Sequence, residues 1–238
     1  MAVFRLDKFL ATVGVGTRSE VKNLIKGGKI TVDGEIVKKP EIKIDTEVNN
    51  VIYQGEKLEY IENIYIMLNK PQGVVSATED NLHATVIDII KKGKKLKLFP
   101  VGRLDKDTEG LLLITNDGDL AHKLLSPKKH VDKVYYVELD SILTDENARI
   151  ICDGIQLEED FITMPAKIEF TNDRRKVYIT ICEGKFHQVK RMFEYVGLTV
   201  TFLKRISMGP LKLDNSLKTG EYRDLTDEEI AKLKKVNL

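Results

Sequence analysis

The sequence predicts an α+β fold in two modules, and three observations carry that reading. Charge divides the first quarter of the chain: residues 1–43 hold nine basic and five acidic residues, net +4, whereas residues 44–62 hold one basic and five acidic, net −4. Two short helical patterns and a hairpin signal fall within the basic stretch. The rest of the chain reads as more strands than helices, without the regular strand–helix alternation of a parallel sheet. The expected organisation is a small αα–β hairpin module over residues 1–60 and a mixed, mainly antiparallel sheet module over 61–238.

Composition bounds the class. The chain has 238 residues, 42% hydrophobic and 32% charged, enough apolar content for a core with a soluble profile. Apolar runs such as Leu111–Ile114 are far too short to cross a bilayer. The opening Met1-Ala2-Val3-Phe4-Arg5 lacks the apolar stretch and cleavage site of a signal peptide, so a cytoplasmic protein is expected. Cys152 and Cys182 lie thirty positions apart and read as buried, reduced thiols. His83, His122, His130 and His187 show no metal-ligand spacing.

In the first module, Leu6, Phe9, Leu10 and Val13 recur at helical spacing and the helix closes near Gly14. Thr17-Arg18-Ser19-Glu20 is a capping box that starts a second helix, with Val21, Leu24 and Ile25 on its apolar face and Gly27-Gly28 as its stop. Lys29–Val32 and Glu35–Val37 flank an Asp33-Gly34 turn and read as a hairpin. Arg18, Lys22, Lys26 and Lys29 share the face away from the core. A solvated helix face explains such a set, and so does a phosphate-contacting one.

In the second module, Ile64–Leu68 is a strand signal and Thr85–Lys92 a helix ending at Gly93. Leu111–Thr115 is a buried strand, and Leu120–Leu125 a helix stopped by Pro127. Lys133–Leu139 alternates as a strand. Thr144-Asp145-Glu146 opens a helix. Lys167–Phe170 and Val177–Cys182 are strands, His187–Val196 a helix closed by Gly197, Thr199–Ile206 a strand, and Thr226–Glu229 caps a last helix.

The stretch Gly102-Arg103-Leu104-Asp105-Lys106-Asp107-Thr108-Glu109-Gly110-Leu111-Leu112 is the most informative. A polar turn with three carboxylates runs directly into a buried strand, which can hold Asp105 in place and still leave it open to a substrate. Asp105, Asp107, Glu109 and Gly110 also fit the start of a calcium loop. That reading fails at Asn116, where a bidentate Glu is needed, and at the apolar Leu111–Ile114.

Residues 3–50 resemble an S4 RNA-binding domain, through Arg5-Leu6-Asp7-Lys8, Thr17-Arg18-Ser19 and the spacing that leads to Val32-Asp33-Gly34. Four further motifs resemble the pseudouridine synthases. They are Lys70-Pro71-Gln72-Gly73, the Gly102–Leu112 loop, Lys133-Val134-Tyr135-Tyr136-Val137 and Glu183-Gly184-Lys185-Phe186-His187-Gln188-Val189-Lys190-Arg191-Met192. All occur in that family's order over residues 63–210, and with the S4-like module they resemble its RsuA-type branch.

The resemblance implies isomerisation of uridine to pseudouridine: the N1–C1′ bond breaks, the base turns and C5 rejoins C1′. That chemistry has no redox step and no group donor, so no cofactor is expected. The resemblance makes Asp105 the nucleophile and Lys190 the cation that keeps it ionised. Arg103 would help displace the flipped base. Tyr135 fits a ring that stacks on the base and a hydroxyl that moves the C5 proton. Ile181 is a candidate floor of the uracil pocket and Arg191 a substrate contact, although packing or solvation explains either one. His187 and Gln188 are expected to hold loops together. The RNA-contact set is Arg5, Lys8, Arg18, Ser19, Lys22, Lys26 and Lys29, with Lys91, Lys92, Lys94, Lys95 and Lys97 as either phosphate contacts or a solvated loop.

The implied partner is ribosomal RNA, small-subunit 16S ahead of 23S, free or in a partly assembled subunit, and the chain is expected to be a monomer. A large-subunit target and a non-catalytic RNA-binding assembly factor stay open. A carboxylate glycosidase lacks a convincing second catalytic carboxylate.

Overall fold

The computed structural model describes residues 3–60, 63–91, 96–126 and 129–236. The chain divides into two compact units, Met1–Glu62 and Asn63–Leu238. Gly93, Pro127 and lysines 92, 94 and 95, on which three of the expectations above fall, lie outside the described residues.

The first unit runs β1 (Val3–Arg5), α1 (Leu6–Thr12), α2 (Arg18–Lys26), β2 (Ile30–Val32), β3 (Glu35–Ile36), β4 (Lys43–Asp45), β5 (Val51–Tyr53) and β6 (Glu56–Lys57). Thr17 caps α2 through the expected capping box with Glu20. Leu6, Phe9 and Leu10 of α1 pack on Val21 and Ile25 of α2 and on Ile30, Ile44 and Val51, all essentially buried. The β2–β3 hairpin continues through β5 to β6 as an antiparallel sheet. Strands β1, β4, β5 and β6 had no sequence signal, because each is only two or three residues long and its pairing depends on distant partners.

The second unit runs β7 (Tyr65–Lys70), α3 (Val86–Ile89), β8 (Phe99–Pro100), β9 (Glu109–Thr115), α4 (Gly118–Leu125), β10 (Lys133–Leu139) and α5 (Asp145–Asp153). It continues with β11 (Gln156–Glu158), β12 (Phe161–Ile162), β13 (Lys167–Phe170), β14 (Lys176–Ile181), α6 (Gln188–Tyr195), β15 (Val200–Met208), β16 (Leu211–Lys212), β17 (Tyr222–Asp224) and α7 (Asp227–Lys234). The main sheet has the order β13-β14-β10-β15-β9-β7-β17, with β16 against β15 and β8 against β9. Every pairing in it is antiparallel except β15 with β9, so the sheet is mixed and mainly antiparallel as predicted.

Alternation decides which side chains face which core. Leu68, Leu112, Ile114, Tyr135 and Val137 join one apolar cluster, and Met67, Leu111, Leu113 and Met208 the other. Helix α3 is one turn rather than the predicted two. Thr85 and Asp88 form its capping box, but Ile90 is already extended at φ −89°, ψ 106°. Cys152 and Cys182 are free thiols, half-buried rather than fully buried.

Candidate active site

Asp105 sits on the loop that leads into β9, and buried neighbours pin that loop. Lys70, at the end of β7, is fully buried. Its ammonium donates to the carbonyls of Asp105 at 2.9 Å, Thr108 at 2.9 Å, Pro71 at 3.0 Å and Lys106 at 3.3 Å. Burial pulls the Lys70 pKa down to about 8, and the facing Asp105, Asp107 and Glu109 offset only part of that. Ser76 Oγ both donates to the Leu104 carbonyl and accepts from its amide. At the start of β9, Gly110 takes φ +103°, and a Cβ there would lie 2.2 Å from the Arg205 carbonyl oxygen. Only glycine permits that approach of β15 to β9.

The Asp105 side chain is one quarter exposed and meets two cationic or titratable groups from the α6 segment. Lys190 Nζ lies 3.5 Å from Oδ2, and His187 Nε2 lies 3.6 Å from Oδ1. Lys190 therefore faces Asp105 as expected, but its short contact, at 2.5 Å, is to Asp107. Partial burial works against the Asp107 carboxylate, yet the Lys190 hydrogen bond and charge outweigh it and hold its pKa below the usual range.

His187 was expected only to hold loops. It occupies the left-handed region at φ 49°, and its ring stacks on Phe186 at 3.8 Å as it turns towards Asp105. Histidine enters that region more readily than most residues, and the turn it makes leads directly into α6. Gln188 does hold the loop, accepting from the Lys185 amide and donating to Glu183.

Asp105 lies where two hollows meet. An inner recess of about 60 Å³ has Arg103, Tyr135, Ile181, Leu203 and Val189 in its walls. An outer cleft of about 520 Å³ is lined by Arg103, Lys106, Lys185, Phe186 and His187. Tyr135 and Ile181 are buried on the same sheet face, since Lys133 pairs with Ile181 and Tyr135 with Ile179 across β10 and β14. Arg103 is exposed, and no ion pair or hydrogen bond holds it among the described residues. Tyr136, on the opposite face, donates to Glu138, and burial and that bond push its pKa up to about 12.

Arg191 departs from expectation. It pairs with Glu158 at 2.8 Å and donates to the Leu157 carbonyl at 2.7 Å, so it braces α6 against β11 and does not line the recess. The i,i+1 offset from Lys190 turns it to another side of the helix. Lys70 and Arg205 escaped the sequence reading as site residues, because their partners lie 35 to 38 and 94 positions away.

In the first unit, Arg18, Ser19, Lys22, Lys26 and Lys29 are all exposed. Arg5 is not a free cation: its guanidinium makes paired bonds of 3.1 and 3.0 Å to the buried Asp7, whose pKa that contact lowers. Lys8 lies 5.5 Å over the Phe4 ring. Among the described residues no three His, Cys, Asp or Glu side chains gather in a way that would hold a metal ion. No helix there is long and apolar enough to cross a membrane.

Comparison with known proteins shows the family. Residues 64–195 match the RNA pseudouridylate synthase family and residues 4–49 the S4 domain. The chain belongs to the RNA pseudouridylate synthase family. It is 50% identical to an RNA pseudouridine synthase of Bacillus subtilis over 95% of this chain and 96% of that one. It is 44% identical to ribosomal small subunit pseudouridine synthase A of Escherichia coli K12, covering 95% and 98% of the two chains. A pseudouridylate synthase crystal structure superposes with a TM-score of 0.69 at 41% identity, over 97% of this chain and 99% of the other. The RNA pseudouridylate synthase match contains the Asp105 loop, β10, β14 and α6, which line the recess, while Leu203 on β15 completes the wall from beyond it.

Proposed function

We propose that this protein converts one uridine of small-subunit ribosomal RNA to pseudouridine, with residues 1–60 holding the RNA and residues 61–238 carrying the chemistry. The observation that carries the reading is the Asp105 carboxylate, fixed between a recess walled by Tyr135 and Ile181 and an open cationic cleft. The likeness to small-subunit synthases over nearly the whole chain supports the choice of RNA.

In this account the target nucleotide leaves its stack, at a cost of about a few kcal/mol. Its sugar then meets Asp105. The ionised carboxylate attacks C1′ as the N1–C1′ bond breaks, with the electron pair leaving on N1. The base turns against Tyr135, C5 bonds to C1′ and releases the carboxylate, the C5 proton is removed, and N1 takes up a proton. Atoms and charge balance without an added reagent. Lys190 keeps Asp105 ionised, and Arg103 occupies the space the base vacates. The exposed Arg18, Ser19, Lys22, Lys26 and Lys29 contact phosphates, and the chain works as a monomer.

The test is to incubate the protein with 16S and 23S ribosomal RNA separately, label pseudouridine with carbodiimide and map it by primer extension. One new stop in 16S RNA is expected. A stop in 23S RNA alone would move the target to the large subunit, and none in either free RNA or partly assembled subunits would contradict the enzymatic reading.

A further inference from the structure

A further cavity, of about 260 Å³, lies on the same sheet face as the recess and shares Arg103 and Tyr135 with it. Its walls carry four cationic side chains, Arg103, Lys133, Lys185 and Arg205, against one carboxylate, Glu183. Strand register gathers them. Arg205 on β15 stands directly opposite Tyr135 on β10, and Lys133, two residues before Tyr135, points to the same face.

Two of these cations are buried, Arg205 at 2% exposure and Lys133 at 8%. Neither has a carboxylate within ion-pair distance among the described residues. Lys133 donates to the Val131 carbonyl at 2.8 Å, and Arg205 Nε to the Leu111 carbonyl at 2.8 Å. Arg205 Nη2 is buried with no hydrogen-bond partner. Glu183 is already engaged, its Oε1 accepting from the Met164 amide and Gln188 Nε2. Burial holds the Lys133 ammonium below its usual pKa, and the nearby Arg205 charge adds to that. Unpaired buried charge of one sign is costly, and a guanidinium fork beside an ammonium matches a tetrahedral oxyanion.

We propose that this cavity is a phosphate subsite, which seats one RNA backbone phosphate flanking the nucleotide whose base enters the Asp105 recess. The proposal rests on the RNA-synthase reading above. Because Arg103 and Tyr135 line both hollows, the two adjoin, as a base and its own backbone phosphate require. A phosphate held by Lys133 and Arg205 fixes the attached sugar, and so its C1′, against Asp105. Lys133 and Arg205 are positioning residues in this account.

The experiment uses the full chain and the small-subunit rRNA fragment it protects from ribonuclease. Each unpaired uridine in that fragment receives a neutral methylphosphonate on its 5′ or its 3′ side. Wild type is expected to lose about tenfold or more in affinity at one such phosphate and little at its neighbour. Lys133→Met is expected to lose as much with unmodified RNA and nothing further with the sensitive methylphosphonate. Arg205→Lys keeps the charge but not the fork, should behave alike, and replaces Lys133→Met if circular dichroism shows that variant unfolded. Indifference of the wild type to every methylphosphonate, or losses in the variants that multiply with those of the modified RNA, would overturn the proposal. Affinity needs no turnover. A chain that shows this pattern and forms no pseudouridine would refute the enzymatic reading and leave the subsite standing.

Discussion

Two lysines hold the Asp105 loop in different ways. Lys190 supplies charge to Asp105 and Asp107, whereas Lys70 supplies donors to three carbonyls of the loop backbone, those of Asp105, Lys106 and Thr108. Lys190→Met should therefore lower kcat about tenfold or more while the melting temperature changes little, since the shorter of its two ion pairs is to the mostly exposed Asp107. Lys70→Met should do the reverse first, costing at least about 2 kcal/mol in urea unfolding because buried carbonyls lose their donor. The pH behaviour follows from burial. Folded Lys70 releases its proton near pH 8, and an unfolded lysine near about pH 10.4. Between those values the unfolded chain binds more protons, so the Lys70 contribution makes stability rise with pH. Below pH 8 both states are protonated and its burial penalty is present in full. Activity should fall as pH rises through about 8, where the folded ammonium loses a proton, and Lys70→Met should abolish the Lys70 part of the stability change. The Asp105, Lys190 and Tyr135 cluster was legible because the resemblance to the pseudouridine synthases links the motifs that hold them. Lys70 as an anchor, and His187 turned to Asp105, were not, because each depends on how a remote loop folds back.

At the scale of elements, the site is set by the parallel contact of β15 with β9 inside an otherwise antiparallel sheet. That contact passes over Gly110, where a side chain would strike the Arg205 backbone. Gly110→Ala should cost about 3 kcal/mol or more in urea unfolding and displace the Asp105 loop, because the strands must part and φ must change. A loss below about 1 kcal/mol would mean the strands yield easily. Helix starts were readable: Thr17 and Thr226 accept from the backbone as the caps the sequence implied, and Thr85 and Thr144, read only as helix starts, do the same. Strands such as β11, β12 and β16 were not, since two or three residues carry no periodicity and tertiary pairing alone makes them strands.

Over the whole molecule, a near-neutral chain gathers positive charge on the second helix of its first unit. The net +1 concealed a first unit whose second helix shows Arg18, Lys22 and Lys26 on its exposed face. Removing residues 1–58 should weaken RNA binding and flatten its dependence on salt, because fewer counterions are released. An unchanged slope in a salt titration would place the RNA elsewhere. The two-module organisation was legible because charge and periodicity both change near residue 60. The cationic cavity behind Tyr135 was not, since it forms only when β10, β14 and β15 come together. The central claim is that Asp105 performs the isomerisation, and the most direct test compares wild type with Asp105→Asn on the ribosomal RNA that wild type modifies. Pseudouridine formation should vanish in the variant while RNA affinity stays within about twofold, as the exchange removes a charge and little volume. Substantial pseudouridine formation by Asp105→Asn would contradict the account.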